Sequence, residues 1–172
     1  MILIINLCKE KLHYYEFVKP IEDILKNKKI GFFTRHYNKI SGNDLKKAEK
    51  IIICGTSLKD NEFLEDMNKF EWLKNFKKPV LGICGGAHII GIVFGGKLEK
   101  KKEIGFKEIE TRGFLGINGK RQVYHLHQFY VLPEIYHKGN FYAVLFHPEV
   151  RNKEMIERFV GLQKDIKSKN FS

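Results

Sequence analysis

Three features of the sequence predict an α/β fold in which a mostly parallel central sheet carries helices on both faces. Through the first half, short apolar runs alternate with segments of helical period. The runs at 51–54 and 80–83 are continuously apolar, as strands buried on both faces are. After Gly95-Gly96 the pattern changes to strand-like alternation, which predicts a small antiparallel β section in the second half. At 172 residues, with no linker, repeat or low-complexity tract, the chain reads as one domain, 1–172.

Taken in order, Ile2 to Leu7 is the first strand. Leu12 to Leu25 places Leu12, Tyr15, Val18, Ile21, Ile24 and Leu25 on one helical face, with Pro20 disturbing the helix or opening its second part. Lys29 to Thr34 is a second strand. Ser41 to Lys50 is a helix, capped by Ser41 or Asn43. Ile51 to Cys54 is a third strand, ending at Gly55-Thr56-Ser57. Asn61 to Lys77 again has helical spacing, and Val80 to Ile83 is the fourth strand, followed by a helix from Ala87 to Phe94. Lys97 to Glu110 and Gln122 to Leu132 read as strands, with Asn118-Gly119 at the centre of a hairpin turn between them. Phe141 to Phe146 is a short buried strand. Asn152 to Lys167 closes the chain as an amphipathic helix, with Met155, Ile156, Phe159, Val160 and Leu162 inward and frayed residues after it.

Composition narrows the function. No apolar run approaches the roughly 20 residues of a membrane span. The opening Met1 to Asn6 is too short for a signal peptide and lacks a basic lead. Cys8, Cys54 and Cys84 are odd in number and widely spaced, which speaks against a disulfide framework and for a reducing cytoplasm. The net charge of +11 is mostly scattered lysine rather than arginine clusters with interleaved aromatics, so a solvated basic surface is expected and nucleic-acid binding is not.

Two stretches carry chemistry. In Gly82-Ile83-Cys84-Gly85-Gly86 the cysteine stands at a strand-to-helix turn. There a side chain is held on a sharp corner and the helix points its free N–H groups at the thiol. Glycines flank it because the chain passes too close for a Cβ. The second stretch, His147-Pro148-Glu149, also follows a buried strand. The histidine is suited to act as base for the thiol and acid for a departing amine. Glu149 is placed to fix its tautomer, and Pro148 stiffens the link. Read singly, Cys84 favours the nucleophile reading over that of a small buried residue, whereas the tripeptide slightly favours a loop histidine beside a solvated glutamate.

Together they resemble the class I glutamine amidotransferases, a family with a Cys-His-Glu triad. Pro79 to Cys84 is similar to the approach to its nucleophile elbow, and Phe94 to Lys97 to the run after the elbow helix. His127 to Val131 resembles its His-Ser-Tyr-Tyr-Val segment, and Ala143 to Val150 its Gly-Val-Gln-Phe-His-Pro-Glu-Val. The likeness extends from about residue 2 to about 165. It implies a flavodoxin-like fold and a triad of Cys84, His147 and Glu149. Glutamine would be hydrolysed through a cysteinyl thioester to glutamate and ammonia, for a separate synthetase to consume. By the same resemblance the oxyanion is held by the N–H groups of Gly85 and Gly55, and His88, His127, Gln128 and Phe129 line the substrate side.

Three departures stand out. His88 occupies the position where the family usually has glutamine. Gly55-Thr56-Ser57 replaces Gly-Gly-Pro. The stretch from Cys84 to His147 is short for the family. These put glutamine specificity in question and leave three readings. The first is a free-standing glutaminase subunit, similar to the small subunit of GMP synthetase, with that synthetase as one candidate partner. The others are a hydrolase of another γ-glutamyl amide and a non-catalytic partner or regulatory protein. No cofactor is expected. His125 and His127 share a strand face and with His88 offer three imidazoles to zinc, but one facing the pocket and one packing is preferred, so no metal is expected. Cys8 and Cys54 are expected in the core; Arg35-His36 follows the second strand without a supporting motif.

Overall fold

The computed structural model describes residues 1–163. A six-stranded sheet is built from β1 (Ile2–Asn6), β2 (Phe32–His36), β3 (Lys50–Ile53), β4 (Val80–Ile83), β7 (Ile135–Lys138) and β8 (Phe141–Val144). Its order is β2-β1-β3-β4-β8-β7. All neighbours are parallel except β7, which returns antiparallel along the edge beside β8. A separate ribbon pairs β5 (Glu99–Phe114) with β6 (Ile117–Tyr130). The predicted architecture is present: a mostly parallel sheet and a small antiparallel section.

Side-chain alternation along the central strands feeds two cores. Ile2, Ile4, Ile52, Leu81 and Ile83 face one core, completed by α1 (Lys11–Phe17), α2 (Lys19–Asn27), α5 (Lys153–Gly161) and the tip of the ribbon. Leu3, Ile5, Ile51, Ile53 and Val80 face the other, against α4 (Gly85–Val93) and the segment between β3 and β4. The short α3 (Gly42–Lys47) starts at a capping box in which the Ser41 and Asp44 side chains each accept from the other's backbone.

The elements depart from expectation at definite places. The helix predicted over 12–25 breaks at Val18, and Pro20 sits in the first turn of α2, where its missing N–H costs nothing. The break rotates the first half, so Phe17 is buried while Leu12 and Tyr15 are exposed. The segment expected as an α-helix over 61–77 is 3₁₀ instead, at Glu62–Leu64 and Met67–Asn75. Phe70 and Leu73 are buried, with Met67 and Phe76 packed against the same core. That is a step of three, which suits the three-residue turn of a 3₁₀ helix.

The hairpin turn also moves. It falls at Leu115-Gly116, both at positive φ (53° and 72°), as a two-residue primed turn requires. Asn118 pairs inside the ribbon with Arg112. Burial of Phe114 and Ile117 against the α5 side of the core draws the tip inward and outweighs the local Asn-Gly preference. Strand β2 starts three residues later than expected, after Lys29 at φ 55°. The edge strand β7 carries no strong pattern in the sequence and is absent from the expected elements. The predicted closing helix runs from Lys153 to Gly161 and ends at Leu162, short of the expected Lys167; residues 164–167 and the frayed end lie outside the described residues.

Candidate active site

The site lies where β3, β4 and β8 end, with β6 laid across them. Cys84 follows β4 and takes φ 48°, ψ −100°, a sparsely populated conformation for a residue with a side chain. The close packing around it holds that corner. A Cβ on Gly86 would come within 2.3 Å of the Ile53 carbonyl oxygen, and one on Gly82 within 2.6 Å of the Gly86 backbone. Only glycine lets α4 start this close to β3. The first N–H groups of α4, that of Gly85 foremost, therefore face the space beside the sulfur.

His147 and Glu149 lie beyond β8 and are both buried. Nδ1 of His147 donates to Oε1 of Glu149 at 2.7 Å. Its Nε2 is buried with no hydrogen-bond partner among the described residues. Gly55, at the end of β3, separates this imidazole from the cysteine. A Cβ there would stand 2.5 Å from His147 Cε1 and 3.3 Å from Cys84 Cβ, so the two side chains meet across a gap that only glycine leaves open. Burial pushes the proton affinity of His147 down, but the Glu149 carboxylate and the Cys84 sulfur outweigh it and hold the imidazole well above its ordinary value. One ring nitrogen is thus held by Glu149, and the ring as a whole is coupled to the Cys84 sulfur.

Strand β6 ties the parts together through its carbonyls. That of Tyr124 accepts from the His147 N–H at 2.9 Å, that of Leu126 from the Cys84 thiol at 3.6 Å, and that of Phe129 from His88 Nε2 at 2.9 Å. His88, on α4, is buried, and burial pushes it down to about 4, against the opposite pull of the Phe129 carbonyl. It is neutral, with its Nε2–H committed to β6. Cys84, Gly85, His88, Leu126, His127, Gln128 and Phe129 line one narrow cleft with the Thr56–Leu58 loop, Asn61 and Phe63. The Gln128 side chain donates to the Leu58 carbonyl at 2.6 Å and clasps that loop.

Of the residues singled out in the sequence, Cys84, Gly85, His88, His127, Gln128 and Phe129 thus share one cleft, with Gly55, His147 and Glu149 adjoining it. Thr56, from the marked loop after β3, joins them, as do Leu58, Phe63 and Leu126, which were not singled out; Leu58 and Phe63 follow that loop and Leu126 lies on β6 between the two histidines. His88 joins neither His125 nor His127 in a ligand set; those two meet each other and Glu103 instead. Cys8 and Cys54 are buried free thiols, as expected, and burial pushes Cys8 up to about 11. His36 accepts from the Asn38 N–H at 3.3 Å and stands away from this cleft.

A cysteine on a strained strand-to-helix corner, facing a buried His–Glu pair across the ends of parallel strands, defines an α/β protein of the nucleophile-elbow class. Residues 13–139 match the class-I glutamine amidotransferase family model. The chain belongs to that family. The match ends before His147 and Glu149, so that pair rests on the geometry above.

Over 140 residues the chain is 31% identical to the glutamine-hydrolyzing GMP synthase of Thermotoga petrophila, covering 69% of this chain and 28% of that protein. The chain therefore spans little more than a quarter of that relative. It is 25% identical over 166 residues to a subunit of the glutamine-hydrolyzing GMP synthase of Thermoplasma acidophilum, covering 78% of this chain and 83% of the relative. It is 29% identical over 144 residues to the imidazole glycerol phosphate synthase subunit HisH 2 of Campylobacter jejuni, covering 62% and 73%. Among solved structures, a GMP synthase subunit from Thermoplasma acidophilum superposes with a TM-score of 0.77 at 18% identity, over 93% of this chain and 92% of that one. A glutamine amidotransferase from Thermotoga maritima gives 0.66 at 19%, over 93% and 80%. At these identities the superpositions establish the fold: a parallel sheet with helices on both faces, of the class I amidotransferase type. Among the described residues no helix is long and apolar enough to cross a membrane.

Proposed function

We propose that the chain is a glutaminase subunit, one domain that hydrolyses the side-chain amide of glutamine and passes ammonia to a separate synthetase. The supporting observation is a buried imidazole held by Glu149 through Nδ1 and meeting Cys84 across Gly55. His147 Nε2 takes the Cys84 thiol proton, the sulfur attacks the carboxamide carbon, and a C–S bond forms as the carbonyl π pair moves to oxygen. The N–H groups of Gly85 and Gly55 hold that oxyanion. His147 gives its Nε2 proton to the amide nitrogen, the C–N bond breaks, and ammonia leaves a γ-glutamyl thioester. His147, now neutral, takes a proton from water. The hydroxyl adds, the C–S bond breaks, and glutamate leaves with Cys84 and His147 restored. Glu149 holds the imidazole in the required tautomer throughout and stays ionised. Relatives named as glutamine-hydrolyzing GMP synthase subunits and as an imidazole glycerol phosphate synthase subunit support a synthetase partner of that kind. A GMP synthetase subunit is the first candidate, and the cytoplasm the compartment.

The test is covalent labelling rather than a rate, because amidotransferase crevices are often completed only by the partner. The protein is incubated with diazo-oxo-norleucine, and the intact mass and the modified peptide are read. One adduct on Cys84, suppressed by excess glutamine and absent in Cys84→Ala, is expected. No adduct on Cys84 in the folded wild-type protein would overturn the reading. One observation favours a second: His88 stands neutral, with its Nε2–H committed to Phe129, where the family usually has glutamine. Cleavage of another γ-glutamyl amide, with glutamine inert as protectant and substrate, would select that alternative.

A further inference from the structure

A second cluster of ionisable side chains lies on the β5–β6 ribbon; His127 also borders the cleft, and none of the cluster's members takes part in the proposed glutaminase steps. His125 and His127 are two apart on β6, so their side chains leave the same face of the strand. Both are buried. His125 Nδ1 lies 3.1 Å from His127 Nε2. Glu103 faces His127 in the ladder, just after a register shift between Lys100 and Glu103. That irregularity re-aims the carboxylate. Its Oε2 lies 3.1 Å from His127 Nε2 and 3.7 Å from His125 Nδ1.

We propose that Glu103, His125 and His127 form a zinc site, with His125 Nδ1, His127 Nε2 and Glu103 Oε2 as ligands. Bond lengths of about 2.0–2.1 Å in tetrahedral geometry put neighbouring ligand atoms about 3.3 Å apart. The three separations here, 3.1, 3.1 and 3.7 Å, bracket that value. The donor set of two imidazoles and one carboxylate suits zinc. The outer nitrogen of His125, Nε2, lies 3.6 Å from Glu134 Oε1, beyond hydrogen-bond distance but on the side where metal-bound histidines generally carry a carboxylate. Of the three ligand atoms, Glu103 Oε2 is buried without a hydrogen-bond partner among the described residues, a costly state for a carboxylate oxygen that a bound cation would relieve.

Two lysines flank the cluster. Lys101 Nζ lies 3.4 Å from Glu103 Oε2, and Lys107 Nζ lies 3.4 Å from Glu103 Oε1 and 2.5 Å from Glu134 Oε1. Both are substantially exposed, and such pairs hold little energy, so Lys101 yields its place to the cation. The site's value to the fold lies in its position. Tyr124, Leu126 and Phe129, whose carbonyls hold His147, Cys84 and His88, interleave with and follow the two histidines on one strand. Zinc there would pin β6 to β5 behind the cleft.

The experiment is metal binding by the full chain, stripped of metal with a chelator and then titrated with Co²⁺ and with Zn²⁺ against a chromophoric competitor. One equivalent per chain with tetrahedral cobalt absorption is expected, unchanged in Cys84→Ser. Glu103→Gln should weaken binding at least about tenfold, and a paired His125→Asn, His127→Asn variant should lose it. Because the paired variant removes two buried side chains, Glu103→Gln is the deciding change. Its metal-free circular dichroism and melting should match wild type, while the rise in melting temperature on adding zinc should shrink. Absence of stoichiometric binding would overturn the proposal. So would equal affinity in Glu103→Gln, or a thiolate-to-cobalt charge-transfer band marking a cysteine as ligand. None of these readings depends on glutaminase activity.

Discussion

Replacing His88 by glutamine tests whether the buried imidazole beside the cleft is neutral. In the native protein burial pushes this histidine down to about 4, whereas in an unfolded chain it titrates near about 6.5. The unfolded chain therefore takes up the proton first as the solution is acidified. The site's contribution to stability is complete above about pH 6.5 and is lost progressively as the pH falls toward 4. Between about pH 7.5 and about pH 4.5 this one group should cost the wild-type protein about 2–3 kcal/mol. Glutamine has no proton to gain, and its amide can still donate to the Phe129 carbonyl that His88 Nε2 now engages. Carboxylates and other histidines titrate in both proteins, so the difference between them isolates position 88. Urea unfolding followed by circular dichroism at the two pH values gives the four stabilities, and matched slopes show that the transitions expose the same surface. The wild type should lose about 2–3 kcal/mol more than His88→Gln over this interval. Equal losses would refute the neutral, desolvated histidine, and with it the commitment of its Nε2–H to β6.

Glu149→Gln removes the charge that lifts His147, so its imidazole resonance should titrate at lower pH in an NMR series. If the proposed chemistry holds, glutaminase turnover should fall about 10²–10⁴-fold while labelling of Cys84 becomes strongly pH-dependent. For Gly86→Ala the new Cβ would lie 2.3 Å from the Ile53 carbonyl oxygen, a contact that forces α4 off the sheet. The expected loss is about 3 kcal/mol or more, read from the urea midpoint, and a change under about 0.5 kcal/mol would contradict the close approach. Ser41→Ala deletes one half of the α3 capping box and should cost about 1 kcal/mol in the same assay.

The parts of the site visible in the sequence are those whose members are neighbours along the chain. The Cys84 corner is one continuous run of strand, glycine turn and helix. His147 and Glu149 are two residues apart, so spacing alone suggests the contact seen at 2.7 Å. The buried strands are visible for the same reason: each is a short apolar block, and alternation between two cores demands no more than that. The 3₁₀ segment reads as α-helix because Phe63, Phe70 and Leu73 satisfy a helical period nearly as well as a step of three. Choosing between the two depends on what the segment packs against. The hairpin turn is misplaced in sequence because Asn118-Gly119 is a strong local signal, and only the burial of Phe114 and Ile117 shows that the tip lies earlier. Spacing cannot pair Glu103 with His127 either, since the ladder between them depends on where that turn falls and on a register shift.

The same dependence explains why the strut of the site is invisible in the sequence. Cys84, His88 and His147 are each held by a main-chain carbonyl of β6, at Leu126, Phe129 and Tyr124. A carbonyl is offered by every residue, so the side-chain identities at 124, 126 and 129 carry no mark of that duty. What selects them is the register of the ribbon, and the register is fixed from its ends: by the Leu115-Gly116 turn at the tip and the irregularity before Glu103 near the base. A one-residue slip would turn His125 and His127 to the opposite face and exchange the carbonyls presented to Cys84 and His147. The two anchoring features, though distant from the thiol in sequence, therefore constrain it more directly than most residues nearer to it in the chain.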